Sequence, residues 1–374
     1  MSVIRRTIHR ASLVEQVVSH AENDNPEPEV SRLFVPTGSA LLNLALSDRH
    51  DGGYCTGTIA NIIGDKSTGK TFLCLSTIAE MAHTERFNDY DIRFDDAEAA
   101  NRFNMDKLFG AKTVARLKPP VDDDVEVKHS RTIQEFQIFS RRLLKAGKPL
   151  FYLLDSFDAI SDDAEIAYAD KMDEAHSSGK EIKGTYAMAK AKLASSTLRL
   201  INGDIAQTNS FMQIISQTRD NMEPMSMAPR TRSGGKALYF YCAYEMWLAI
   251  KNRITTTVNG KPRVIGVQTK IKISKNKATG KEREISLPIY YDYGVDDIGG
   301  CVDFLIEENH WAKNKSTGSI SVGELRLEKA TRAKIIATIE EKDWTKNLHE
   351  LTQSVWLEIE EKLKLDRKPK YSNA

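Results

Sequence analysis

The stretch Gly64-Asp65-Lys66-Ser67-Thr68-Gly69-Lys70-Thr71 has the residue types and spacing of a phosphate-binding loop. Its glycines let the backbone curl so that successive N–H groups point inward at a β-phosphate. Lys70 supplies a point charge for the β- and γ-phosphates, and the Thr71 hydroxyl is a ligand for Mg²⁺. The apolar run Ile59-Ala60-Asn61-Ile62-Ile63 precedes the loop and Phe72-Leu73-Cys74-Leu75 follows it, so the loop is expected to join a strand to a helix. The positive end of that helix would face the phosphates. Together these residues point to a bound nucleoside triphosphate with Mg²⁺.

Hydrolysis at such a site needs a second acid for the metal and a base for water. Phe151-Tyr152-Leu153-Leu154-Asp155 reads as an apolar strand ending in a carboxylate, which places Asp155 opposite Thr71 as a Mg²⁺ partner through its water shell. An aspartate capping the next turn would look the same in isolation. The candidate base lies in Arg93-Phe94-Asp95-Asp96-Ala97-Glu98, where Asp95, Asp96 and Glu98 are all open to the role. The competing reading makes them first-turn acids of a following helix.

At 374 residues the chain can bury one large α/β core and a smaller domain. With 41% apolar and 28% charged residues it reads as a globular protein, and no apolar run approaches a membrane span. Met1-Ser2-Val3-Ile4-Arg5-Arg6 lacks a signal-peptide core, so a cytoplasmic location with no membrane partner is expected. Cys55, Cys74, Cys242 and Cys301 have no metal-ligand spacing and are expected as buried thiols. Net charge is +1, but Lys251, Arg253, Lys261, Arg263, Lys270, Lys272, Lys275, Lys277, Lys281 and Arg283 fall in one window. Such a band suits a polyanion, or equally the solvated face of a hairpin.

The positioning elements alternate. Strands are expected at Thr58–Ile63, Asp91–Asp95, Leu150–Leu154, Ser210–Ser216, Leu238–Ile250, Val264–Ser274 and Glu284–Tyr291. Helices are expected at Thr71–Ala82, Ala99–Phe109, Thr132–Ala146 and Tyr186–Asn202. That order gives a largely parallel sheet with an antiparallel extension. Residues 1–22 read as an amphipathic helix ahead of a polar linker. After residue 297 come Val302–Glu308, short basic turns, and helices at Lys329–Glu341 and Leu348–Leu365.

Several motifs then carry a family resemblance. These are Pro36-Thr37-Gly38-Ser39-Ala40-Leu41, Asp96-Ala97-Glu98, Leu154-Asp155-Ser156, Ile214-Ile215-Ser216-Gln217-Thr218-Arg219, Gly234-Gly235-Lys236-Ala237-Leu238, Lys275-Asn276-Lys277 and Gly294–Glu308. In this order the chain, from residue 33 to residue 365, resembles the RecA-family recombinases, the phage-type members among them. The resemblance implies an α/β fold, with a RecA-like P-loop ATPase core at 33–296 around a largely parallel central sheet. It adds an N-terminal helical oligomerisation arm with its linker at 1–32 and a small C-terminal α/β domain with a basic tail at 297–374.

The implied activity is ATP-dependent homologous strand exchange by a helical homo-oligomeric filament on single-stranded DNA, with ATP and Mg²⁺ as cofactors. Duplex DNA would occupy a secondary site. Glu98 becomes the water activator, Gln217 the γ-phosphate sensor, and Lys275 and Lys277 reach into a neighbour's ATP site. Met105 takes the adenine-stacking position with Phe103 nearby, which leaves base selectivity open.

The first DNA loop would lie within Ala164–Gly184, longer and more charged than in bacterial members, with its wedge among Tyr186, Ala187 and Met188. The second loop, within Thr218–Ser233, would use Arg219, Arg230 and Arg232 on phosphates and Met222 as a wedge between bases. Gly234 and Gly235 would allow close backbone approach, and Lys192 and Arg199 would add phosphate contacts from one helix face. Lys270 and Lys272 would line the secondary site, although Glu245 and Ala249 stand where bacterial members are basic. A ring-forming helicase on the same core and a non-catalytic paralogue that assists loading are the competing classes.

Overall fold

The computed structural model describes residues 32–122, 126–169, 187–220, 230–232 and 235–367. By contacts the chain forms two compact units, Met1–Leu33 and Phe34–Ala374. The expected amphipathic helix at 1–22, most of the first loop, Met222, Gly234 and the basic tail lie outside the described residues.

Seven principal strands are β1 (Thr58–Gly64), β2 (Asp91–Asp96), β3 (Leu150–Asp155), β4 (Phe211–Asp220), β5 (Tyr244–Val258), β6 (Lys261–Asn276) and β7 (Arg283–Tyr290). They belong to a ten-stranded sheet in the order Gly294–Val295, β7, β6, β5, β1, β4, β3, β2, Leu117–Lys118, with the tenth strand, Arg230–Arg232, pairing with β4 off this path. The ladders from β5 through β1, β4 and β3 to β2 are parallel, whereas β5–β6 and β6–β7 are antiparallel. Helices cover both faces of the parallel part, which is why β3 reads as an unbroken apolar run: every residue of it is buried.

The helices are α1 (Ala40–Ser47), α2 (Lys70–His83), α3 (Ile133–Leu144), α4 (Ala187–Gln207), α5 (Gly235–Tyr241), α6 (Asp297–Glu307), α7 (Arg332–Glu341) and α8 (Thr345–Lys362), with shorter ones at Met105–Phe109 and Ala111–Arg116. α3 and α4 pack on one sheet face through Ile133, Phe136, Leu198 and Ile201. The expected strands and helices of the parallel core fall where the pattern placed them, give or take their ends. Among the described residues no helix is long and apolar enough to cross a membrane.

Three expectations are corrected. Residues 238–241 are helical and not the start of a strand, since α5 precedes Tyr244. Ala99–Phe109 is not one helix. Asp96 carboxylate oxygens accept the amides of Ala100 and Asn101, holding a turn, and helix begins only at Met105 with Asn104 capping Lys107. The basic turns after residue 308 contain a small antiparallel sheet, Ala312–Lys313, Ile320–Val322 and Leu327–Ala330. With α6, α7 and α8 it surrounds Trp311, Ile335 and Leu348 in a hydrophobic cluster of its own. Cys74, Cys242 and Cys301 are buried free thiols as expected, and Cys55 is half-buried.

β5 and β6 continue past the neighbouring strands as a hairpin closed by Asn259-Gly260, both with positive φ, 52° and 72°. That pair of conformations is what a tight two-residue hairpin turn demands. Lys251, Arg253, Lys261 and Arg263 are exposed on this projecting arm.

Candidate nucleotide and nucleic-acid sites

The phosphate loop sits between β1 and α2 at the carboxyl end of the parallel strands, the crevice where open α/β sheets bind ligands. A Cβ on Gly64 would lie 2.7 Å from the Leu248 carbonyl oxygen and 2.9 Å from Thr68 Oγ1, so only glycine fits that floor. Gly69 has φ +90° and would meet Ile289 Cδ1 at 2.6 Å with any side chain. The Thr269 hydroxyl of β6 donates to the Thr68 carbonyl at 2.9 Å, and Thr68 donates to the Asp65 carbonyl at 2.9 Å. The cradle is therefore braced from within and from the adjoining sheet. Lys66 and Ser67 are exposed at its rim.

Lys70 Nζ donates to the carbonyls of Gly64 and Asp65, at 2.9 and 2.7 Å. Burial lowers its pKa while Asp155 and Glu98 pull the other way. The Thr71 hydroxyl donates to Asp155 Oδ2 at 2.7 Å. Burial pushes the Asp155 carboxyl up to about 6, with Glu98 and Asp96 adding to the shift and Thr71 and Lys70 opposing it. A hydroxyl and a buried carboxylate meeting beside a lysine and a loop of backbone amides is a donor set that fits Mg²⁺ and a triphosphate.

The three candidate bases separate cleanly. Asp95 is fully buried, receiving the Ser130 amide at 2.8 Å and the Tyr152 hydroxyl at 2.6 Å. Asp96 is committed to its turn. Glu98 is exposed, and its Oε1 accepts from Ser156 Oγ at 2.5 Å and from Gln217 Nε2 at 2.8 Å. Its own amide donates to the Asp155 carbonyl, tying it to the metal-side strand.

Gln217 is near the end of β4, with its amide held by Asp158 Oδ2 at 2.7 Å. Burial raises the Asp158 pKa, partly offset by the Gln217 amide and by Arg219, whose guanidinium lies 3.6 Å away. Glu98, Asp158, Gln217, Thr218 and Arg219 line one open cavity of about 500 Å³. Sequence reasoning gave Asp158 no role and quoted Ser156 only within Leu154-Asp155-Ser156. Their signal was position: Ser156 and Asp158 lie one and three residues after the strand-end Asp155.

Beyond the loop, Phe72 of α2 packs on Phe103 with ring centroids 4.7 Å apart. Met105 begins its short helix, its sulfur 3.7 Å from Asn101 Nδ2. The turn after β7 comes alongside, with Asp292 3.7 Å from Lys107, and it carries the exposed rings of Tyr291 and Tyr293. These tyrosines were also missed, although Tyr290-Tyr291-Asp292-Tyr293 is an aromatic run in a turn.

The residues expected to meet DNA are placed as follows. Thr218, Arg219 and Asp220 pair antiparallel with Arg232, Thr231 and Arg230, so a short ladder closes the root of the second loop. Gly235 opens α5. Lys192 and Arg199 are exposed on α4. Lys272 is exposed on β6, while Lys270 pairs with Glu284 at 2.7 Å. Glu245 is buried, accepting from Trp247 Nε1 at 3.0 Å and Ser274 Oγ at 2.8 Å.

Lys275 donates to the Tyr239 carbonyl and lies 4.6 Å from the Tyr239 ring centre. In register it is level with Glu245 and hence with Asn61, three residues before the phosphate loop opens at Gly64. Lys277 is exposed and its amide bonds Ala243. Lys275 is thus level with the middle of β1 and Lys277 with its start, both set back along the strands from this chain's own phosphate loop.

The family model described as RecA N-terminal domain matches residues 15–296. The chain is similar to Protein RecA of Geobacter metallireducens, 28% identical over 333 residues that cover 86% of this chain and 89% of that one. To Protein RecA of Geobacter sulfurreducens it is 30% identical over 285 residues, covering 76% and 74%. Protein RecA of Symbiobacterium thermophilum is 27% identical over 349 residues, covering 92% and 89%. With the family model spanning most of its length and the phosphate loop, strand-end acid and Glu98–Gln217 pair in order, the chain belongs to the RecA family.

Proposed function

We propose that this protein is an ATP-dependent, DNA-stimulated recombinase that assembles as a helical filament on single-stranded DNA and exchanges strands with a homologous duplex in the cytoplasm. The observation that carries the reading is the Glu98–Gln217 hydrogen bond, which joins the candidate water activator to the root of the second loop. Mg²⁺·ATP, when bound, supplies a γ-phosphoryl group open to in-line attack by water. Lys70 would leave the Gly64 and Asp65 carbonyls for phosphate oxygens, and Thr71 and Asp155 would hold the metal. Glu98 would orient water and take its proton, while Gln217 would respond to the γ-phosphate and shift the strand that opens into Thr218–Ser233. Phe103, Met105, Tyr291 and Tyr293 would cover the base.

Lys192, Arg199, Arg219, Arg230 and Arg232 would meet backbone phosphates, giving salt-sensitive binding without base readout, with Met222 as the wedge and Gly234 and Gly235 close to the strand. Lys272, with Lys270 once it leaves Glu284, would hold the second DNA. Sequence recognition would belong to base pairing. Residues 1–32 would be the oligomerisation arm, 33–296 the ATPase core and 297–374 the accessory C-terminal domain.

The test is electron microscopy of wild type and Glu98→Gln on single-stranded DNA with ATP. Glu98→Gln should form open helical filaments that persist for hours, with turnover at least about 100-fold below wild type. Closed rings would replace this reading with a helicase. Bare DNA with both proteins would replace it with an accessory paralogue.

A further inference from the structure

The phosphate loop and the second loop are joined by a contact that the roles above do not use. Asp65, the second residue of the phosphate loop, accepts a hydrogen bond on its carboxylate from the Thr218 hydroxyl. Thr218 is the residue immediately after Gln217, and its backbone pairs in register with Arg232, so it forms the root of the hairpin that carries the second loop. The backbone carbonyl of the same Asp65 is one of the two that Lys70 grips. One residue therefore touches the phosphate-binding lysine through its main chain and the loop root through its side chain.

We propose that Asp65 and Thr218 are positioning residues that couple nucleotide occupancy to the affinity of the second loop for single-stranded DNA. The proposal rests on the recombinase reading and deepens it. Lys70 can hold the Asp65 carbonyl or a phosphate oxygen, and arrival of phosphates removes that brace. The carboxylate two positions into an anion-binding loop is also repelled by incoming phosphates. Both effects act on the residue whose side chain anchors the hairpin root, so the root is held differently in the two states. Gln217 would respond to the γ-phosphate alone. The Asp65–Thr218 pair responds to occupation of the loop, a second tether on the adjacent residue. A coupling of this kind is a difference in interaction between two states and must act reciprocally: DNA changes nucleotide affinity by the factor by which nucleotide changes DNA affinity.

The experiment measures binding of a fluorescent single-stranded oligonucleotide by anisotropy, without nucleotide and with a non-hydrolysable ATP analogue. The coupling factor is the ratio of the two dissociation constants. It is determined for wild type, Thr218→Val, Thr218→Ser, Asp65→Ala and the Thr218→Val/Asp65→Ala double variant, each checked for native thermal unfolding. Thr218→Val and Asp65→Ala should each lower the factor by about tenfold, the double variant should lower it no further, and Thr218→Ser should retain it. Nucleotide affinity with and without DNA should change by the same factor. A wild-type-like coupling factor in Thr218→Val, or additive losses in the double variant, would overturn the proposal and leave the recombinase reading intact. A wild-type protein whose DNA affinity ignores the analogue would overturn both.

Discussion

Asp155 is an acid whose burial raises its pKa beside the Thr71 hydroxyl, where the proposed Mg²⁺ would sit. Its pKa of about 6 in the folded protein lies above the ordinary 3.8, so the ionised carboxylate opposes folding. That cost is fully present above pH 6 and vanishes below about pH 4, where the carboxyl is neutral in both folded and unfolded chains. A shift of this size corresponds to at most ~3 kcal/mol. Asp155→Asn should therefore raise the melting temperature of the nucleotide-free protein by a few degrees at pH 7.5, and the gain should shrink as pH falls toward 4. The same change should weaken Mg²⁺-dependent nucleotide binding at least about tenfold. Calorimetry and a nucleotide titration read the two effects, and an unchanged or lower melting temperature would show that Asp155 is stabilised by its partners. At this scale the sequence was most legible where chemistry dictates both residue type and spacing, as at Lys70, Thr71 and Asp155. It left Asp95, Asp96 and Glu98 undivided because all three are carboxylates within four positions of one another. What separates them is direction: Asp95 faces the core and Tyr152, Asp96 its own turn, and Glu98 the Gln217 side chain.

The elements that position these groups are held from outside the sheet as well. Arg283, at the start of β7 and almost fully buried, reaches the carbonyls of Leu44 and Ala45 at the end of α1. It also pairs with Asp48 at 2.5 Å and with Glu360 of α8 at 2.8 Å, and stacks 5.1 Å from the Trp356 ring centre. One guanidinium thus joins α1, β7 and α8. Truncation would leave Asp48 and Glu360 facing each other with the Lys281 ammonium and, on Asp48, the Trp356 indole N–H. Arg283→Ala should cost about 3–5 kcal/mol in urea unfolding, and Arg283→Lys should recover little, because an ammonium lacks the planar fork. A loss below about 1 kcal/mol would mean that Lys281 suffices. This clamp was hidden in the sequence, where Arg283 counts only as one cation in a basic window. The element-level misses share that cause. α5 is short, and its apolar residues Ala237 and Leu238 fit a strand as well as a helix. The sheet around Ile320 has strands of two to four residues, too short for alternation to show. β1 and β3 were legible because burial on both faces writes a nearly continuous apolar run.

For the whole molecule the decisive geometry is the separation of Lys275 and Lys277 from this chain's own phosphate loop. Cations set back along the strands from their own phosphate loop are poorly placed to neutralise charge on their own nucleotide, but a head-to-tail neighbour can present them to the next one. A heterologous contact of that kind propagates into an open helix when its rotation does not close. Turnover would then require two docked protomers, since the developing phosphoryl charge is stabilised only across the interface. Lys275→Ala with Lys277→Ala should abolish DNA-stimulated hydrolysis while dilute protein still binds nucleotide. Lys70→Ala should be inactive for the opposite reason, lacking its own phosphate grip. Mixed in equal amounts, the two inactive proteins should regain turnover. An interface that sets an intact phosphate loop against intact lysines forms in roughly a quarter of random neighbour pairs in a heterologous chain. Each protein alone has none. Recovery on mixing, measured as phosphate release at saturating single-stranded DNA, places Lys275 and Lys277 in the neighbour's site. Activity that stays at the sum of the two variants returns them to their own chain, where their contacts to Tyr239 and Ala243 would make them struts between β6, α5 and the start of β5.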